Sequence, residues 1–384
     1  MRSRLPTLTK DAKAAKTAKN HPLRPLRSLR SSWVAIAMFG FAAAPAAPQD
    51  GADPAIRIVV RDIVRDVITT SPGVKGRAYQ GRDRGPEQTE RVSRKVKIGR
   101  DGRVSIENIA GEITVTGGSG DEVSIEAVKR TRGDRSELAT VRVIVDERPG
   151  RVDVRTEHER NRFDRNGRSD HVSVDYTVTM PGGAAVDVKS ISGNVKVSNV
   201  QGAVRAESVS GNVTTAGTPR LEMAKSVSGD VVLTDAGADA DLSAGSVSGN
   251  VRANGLKARA LDLGTVSGDV VLTNVTCDRL GVKSVSGNIE YSGTLARNGR
   301  YDVNTHSGTV RLTLSGSTGF ELTGTTFSGS IRSELPLTIG GERERDTGIR
   351  RRGARNRSIR ATFGDGSAAL TLRTFSGDII IAKR

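Results

Sequence analysis

Arginine is the residue with the clearest chemical potential in this chain. Residues 341–360 hold eight of them, Arg343, Arg345, Arg350, Arg351, Arg352, Arg355, Arg357 and Arg360, against Glu342, Glu344 and Asp346. A guanidinium group is planar and always charged, and it pairs bidentately with carboxylate or phosphate oxygens. The segment is therefore the candidate anion contact of the chain, suited to lipid head groups, acidic glycans or cell-surface phosphates. It has almost no apolar residues, so the sequence predicts a solvated loop thrown out from the side of the fold. The plainer alternative is an insertion with no role.

The other reactive residue types are scattered. His21, His158, His171 and His306 show no ligand spacing, and Asp164 and Asp170 near His171 do not supply it. Cys277 is the single cysteine, so an intramolecular disulfide is excluded. A row of Asn194, Asn212, Asp230, Asn250, Asp269 and Asn288 recurs, but it lacks the Gly-Gly-x-Gly-x-Asp pattern of calcium-binding solenoids and reads as turn chemistry. Nucleophile elbow, phosphate loop and paired-cysteine motifs are absent from the sequence. No catalytic residue, metal ligand or cofactor site is implied.

That Asn/Asp row belongs to the elements that must position everything else. Ser-Val-Ser-Gly-Asn/Asp-Val/Ile occupies residues 208–213, 226–231, 246–251 and 284–289, with close variants at 190–195 and 265–270. Looser copies stand at 305–310, 326–331 and 374–379. The period is near twenty residues, the signature of a stacked repeat. Around Gly268 the apolar positions are Leu261, Leu263, Val266, Val270 and Leu272, and the same columns recur around Gly249 and Gly287. The pairs lie two apart, as in a strand with one buried face. Glycine and Asn/Asp favour a bend between two short strands, and recurring Ser and Asn can form side-chain ladders. One coil cannot bury its own face, but stacked coils can. The fold class predicted is all-β, a β-solenoid or parallel β-helix of ~20-residue coils.

The remaining chain follows in order. Residues 1–46 are basic, then apolar from Trp33 to Ala44, then rich in alanine and proline, which is the layout of a secretory signal peptide cleaved after Ala46. Twelve apolar residues are too few to span a bilayer. The formal charge of +16 falls to +8 without this leader. Residues 47–90 read as a linker with a short amphipathic helix, in which Ile56, Val59, Val60, Ile63, Val64 and Val67 share a face. Residues 91–384 form the repeat domain. In it, residues 91–183 give a first coil around Gly111 and alternating strands expected to make an N-terminal antiparallel β-sheet cap. Contiguous coils fill 184–333, the arginine-rich insertion fills 334–361, and a last coil fills 362–384.

These repeats, with residues 106–113 and 172–188, resemble a bacterial β-strand-repeat family of unknown function whose members are called "putative adhesins", related in style to the head domain of auto-transporter adhesins. The resemblance covers about residues 91–384. It implies an exported β-solenoid with a role in adhesion or at the cell envelope, and it brings no catalytic or binding residues with it. The expected protein is a non-enzymatic adhesin or cell-envelope scaffold, periplasmic or at the cell surface. Its expected partner is an envelope or surface ligand such as an anionic glycan or lipid head group, and no nucleic acid. A polysaccharide-active β-helix enzyme and an envelope sensor or regulatory partner are the alternatives. The enzyme would need carboxylates gathered on one outer face, and short coils with tight turns do not provide them.

Overall fold

The computed structural model describes residues 86–158, 172–237, 240–340 and 357–384, and among these the chain is all-β apart from one short 3-10 helix, Arg135–Thr140. The expected signal peptide, the expected linker helix and most of the arginine-rich segment lie outside the described residues.

Each repeat folds as the sequence predicts, into two strands joined at the Ser-Gly-Asn/Asp bend. In the Gly193 coil these are Ala185–Ser192 and Val195–Ser198. Equivalent strands of successive coils pair in parallel and in register, so Val186 faces Val204 in one sheet and Val195 faces Val213 in the other. Two parallel sheets thus climb side by side. Strand alternation turns Leu261, Leu263, Val270 and Leu272 inward, each almost fully buried, and Asp262 outward. This geometry is consistent with a β-solenoid whose core is a set of aliphatic columns.

At the amino end the first coil, Arg103–Ala110 with Ile113–Gly118, stacks directly on the Gly193 coil although some seventy residues separate them. The excursion between them builds one more level. Arg151–His158 and Ser173–Pro181 pair in parallel with the two strands of the first coil. Outside that level the pairing turns antiparallel, through Val141–Arg148 in one sheet and through Glu122–Thr131 and Gln88–Lys97 in the other. Gln88 starts this strand a few residues earlier than the sequence predicts.

Two expectations need correction. The Val266 column is not core. Alternation carries Leu261 and Leu263 on to Thr265, so the buried position before the bend holds Ser or Thr in every copy of the motif, from Ser190 to Thr374. The valine after it points outward and is half-buried. The last coil does not follow the Gly329 coil either. Ala368–Ser376 pairs with Arg300–Ser307 on one side and with Phe320–Ser328 on the other, so the Gly377 coil is inserted between the Gly308 and Gly329 coils. The partner sheet repeats this order, since Ile379–Lys383 lies between Val310–Ser315 and Ile331–Ser333. Arg357–Phe363 then closes one edge by pairing antiparallel with Phe320–Ser328.

Leu263→Ala is expected to cost about 2–5 kcal/mol, the usual range for emptying a packed aliphatic site. Asp262→Ala should stay within about 0.5 kcal/mol. Denaturant unfolding of the two variants checks the facing of the strand.

Candidate functional site

The recurring polar residues come together at the bend, where they bond to the neighbouring coil. A Cβ on Gly268 would overlap the carbonyl of Gly249, and one on Gly249 would overlap that of Gly229. The same overlap links each turn glycine to the one below it, up through Gly308, Gly377 and Gly329 in their spatial order. Glycine is required here because backbone packs on backbone.

The carbonyl under each glycine also accepts a side-chain hydrogen bond. Ser208 Oγ donates to Gly193 O (3.0 Å), Ser226 to Gly211 (2.8 Å), Ser246 to Gly229 (2.8 Å) and Thr265 to Gly249 (3.0 Å). Thr305, Thr374 and Thr326 continue the series onto Gly287, Gly308 and Gly377. Ser190 and Ser284 keep the buried column, but their Oγ atoms make no hydrogen bond. The Asn/Asp row forms a second ladder. Asn194 Oδ1 accepts the backbone N–H of Asn212, Asn212 that of Asp230, Asp230 that of Asn250, and so on through Asp269 and Asn288. The hydroxyl ladder satisfies carbonyls that packing between coils would otherwise leave short of a partner, while the Asn/Asp ladder runs nearer the surface.

The ends of the ladders are finished by other residue types. In the first coil Asn108 takes the serine position, and its Nδ2 reaches the Val174 carbonyl at 2.7 Å. Thr156 donates to Asn108 Oδ1 and bonds the Tyr176 hydroxyl, whose ionisation burial pushes up to about 12. Asp175 supplies the Asn/Asp acceptor to Glu112 N–H. At the other end Arg357 Nη1 donates to the Gly329 carbonyl at 2.7 Å, standing where a further coil would place Ser or Thr. In mid-stack, Tyr301 donates to the Cys277 carbonyl, and burial pushes the Cys277 thiol up to about 12, so it is an inert core residue.

The candidate anion contact is brought only partly into view. Arg343, Arg345, Arg350, Arg351, Arg352 and Arg355 lie outside the described residues. Arg357 is engaged with the last turn as above, and Arg360 is exposed on the same closing strand, opposite Thr323. Of the histidines, His306 stands in the outward valine column with its ring stacked on Phe375 (centroids 4.9 Å apart, planes 9°), and Phe375 stacks on Phe327 (4.7 Å, 5°). His158 ends Arg151–His158, while His171, Asp164 and Asp170 lie outside the described residues. The aromatic stack escaped sequence reasoning because its members are adjacent only when the Gly377 coil is inserted. Their shared place in the motif was the available signal.

What the geometry defines is a stacked-coil β protein whose buried Ser/Thr column and Asn/Asp row are turned toward its own backbone. Residues 220–382 match the family model described as Toastrack DUF4097, and the resemblance carried by the Ser-Val-Ser-Gly-Asn/Asp repeats is borne out by that match. Solved structures of similar type include a "putative adhesin" from Bacteroides fragilis, 13% identical with a TM-score of 0.39, covering 76% of this chain and 97% of that one. A "putative lipid binding protein" from Parabacteroides distasonis is 9% identical with a TM-score of 0.37, covering 77% and 96% respectively. A "putative cell adhesion protein" from Clostridium sporogenes is 9% identical with a TM-score of 0.23, covering 77% and 100%. No match was found among curated proteins.

Two outcomes test the ladders. Gly268→Ala should cost more than about 1 kcal/mol, because the new Cβ forces two coils apart. Gly120→Ala, where a Cβ meets only the Glu122 backbone nitrogen at an ordinary 3.9 Å, should stay within about 0.5 kcal/mol. The second outcome concerns acid. Burial opposes ionisation of Asp230, but the Asn250 amide and the Arg252 guanidinium outweigh it and hold the carboxyl below its ordinary value. A lowered folded-state value adds stability above the ordinary carboxylate range, and that stability is lost as pH falls through the folded value. Asp230→Asn keeps the ladder acceptor, so it should fold and show a flatter acid limb in stability against pH.

Proposed function

We propose that the protein is an exported, non-enzymatic cell-envelope scaffold of adhesin type. One observation carries this reading. In most coils the Ser or Thr two residues before the second serine of the motif, and the Asn or Asp after the glycine, bond the backbone of a neighbouring coil, so the repeat serves to build a rigid elongated body. A body of that kind presents surface over a long distance. In this reading the outer antiparallel strands, Gln88–Lys97, Glu122–Thr131 and Val141–Arg148, act as the amino-terminal cap that keeps the stack from pairing with other edges. Export follows from the leader sequence, with a periplasmic or surface location.

The same reading gives the arginine-rich segment a role as an anion contact for head groups or acidic glycans at the envelope. Its two flanks, Thr338–Ile339 and Arg357–Phe363, pair with each other at the carboxyl end of the stack, so the segment is tethered there. Amino-terminal sequencing of the protein from its native envelope should find a start near Ala47. Replacing Arg343, Arg345, Arg350, Arg351, Arg352 and Arg355 by glutamine spares Arg357 and should leave unfolding unchanged. It should weaken retention on immobilised polyanions, with the lost part strongly salt-dependent. Retention equal to the parent's at all salt concentrations would reduce the segment to a spacer.

A further inference from the structure

The large apolar side chains exposed among the described residues are Phe327 (38%), Phe375 (48%) and Ile339 (67%). All three belong to the last two coils or the hairpin that closes them. Surface apolar residues scattered over a protein call for no explanation, but concentration at one end of an elongated body does.

The exposed charges around them are basic in excess, although Glu334, Asp365 and, on the same strand as Phe327, Glu321 are exposed as well. Residues 331–340 and 357–384 contain Arg332, Arg357, Arg360, Arg373, Lys383 and Arg384 against Glu334, Asp365 and Asp378. Each of these acids is bonded to backbone. Asp378 accepts Ser330 N–H and its hydroxyl, Asp365 accepts Gly319 and Ser367 N–H, and Glu334 accepts Lys383 N–H. Backbone and side-chain bonds from Ser330 hold the Asp378 carboxyl below its ordinary value. The basic groups are exposed, and Arg373 shares the outer face of its strand with Phe375.

We propose that the carboxyl end of the stack docks on an anionic lipid surface, with Phe327, Phe375 and Ile339 entering the interface and Arg332, Arg360 and Arg373 meeting the head groups. This rests on the anion-contact reading above and names its source. Exposed apolar side chains rimmed by cations are what interfacial binding uses, the first supplying burial and the second attraction to anionic lipid. The rings favour lipid over sugar. Phe375, the more exposed of the two phenylalanines, has both faces covered, by His306 on one side and Phe327 on the other, so it offers its edge. A sugar needs an open ring face to stack on, whereas hydrocarbon accepts an edge.

The test places a probe in the proposed contact. Trp33 is the only native tryptophan, so the full chain carrying Trp33→Phe and Phe375→Trp reports from one site. A second chain with Trp33→Phe and Val227→Trp reports from the outer face at mid-stack. Phosphatidylcholine vesicles containing phosphatidylglycerol should move the emission at position 375 to shorter wavelength and make it quenchable by brominated lipid. Vesicles of phosphatidylcholine alone should not, and the probe at position 227 should stay unchanged. Adding Arg332→Gln, Arg360→Gln and Arg373→Gln should lower the apparent vesicle affinity on the order of a hundredfold. Unaltered emission at position 375 with anionic vesicles, in a chain with the parent's circular dichroism, overturns the proposal. If heparin still binds that chain in a salt-dependent way, the anion reading survives and lipid is the wrong source. If heparin does not bind either, both fall.

Discussion

Everything in this molecule depends on how closely one turn lies on the next. A turn glycine packs against the carbonyl of the glycine below it, and a buried Ser or Thr hydroxyl of the same coil bonds that carbonyl. The contact sets the coil spacing, and the spacing fixes the register of both sheets. Any side chain at the glycine would separate the coils, and a missing hydroxyl would leave a carbonyl less well satisfied in a dry interface. The Asn/Asp ladder repeats the same logic one residue later, with a side-chain oxygen accepting the next coil's amide.

This constraint explains what could be read in the sequence and what could not. Leu261, Leu263, Val270 and Leu272 were legible as core because alternation within each strand is unbroken. Val266 misled because it is apolar and sits beside the bend, yet the period of two passes through Thr265. Hydrophobicity alone cannot show that an interior position needs a donor. The ladder itself was foreshadowed by the recurrence of Ser and Asn, though its acceptor, the turn carbonyl, belongs to another coil and leaves no mark in the sequence.

The order of the coils was the least legible feature. Coils with the same motif are interchangeable as neighbours, so sequence adjacency does not decide spatial adjacency. Thr-Phe-Ser-Gly around Gly377 fits between the Gly308 and Gly329 coils as well as beyond them, and the chain uses the inner place. The partial view of the candidate site follows from this. Arg357 bonds the last turn because the closing strand folds back antiparallel, and the Phe375 ring lies between His306 and Phe327 because of the insertion. Both depend on tertiary order rather than on local pattern.

The buried hydroxyl, and not the valine beside it, holds adjacent coils together. A pair of nearly isosteric exchanges in one coil separates the two, namely Thr265→Val and Val266→Thr, each followed by denaturant unfolding. Thr265→Val retains shape and removes the donor to the Gly249 carbonyl, so a loss of about 1–3 kcal/mol is expected. Val266→Thr adds a hydroxyl on an outward, half-buried face and should change stability by less than about 0.5 kcal/mol. A costly Val266→Thr beside a neutral Thr265→Val would place the valine in the core and contradict the account.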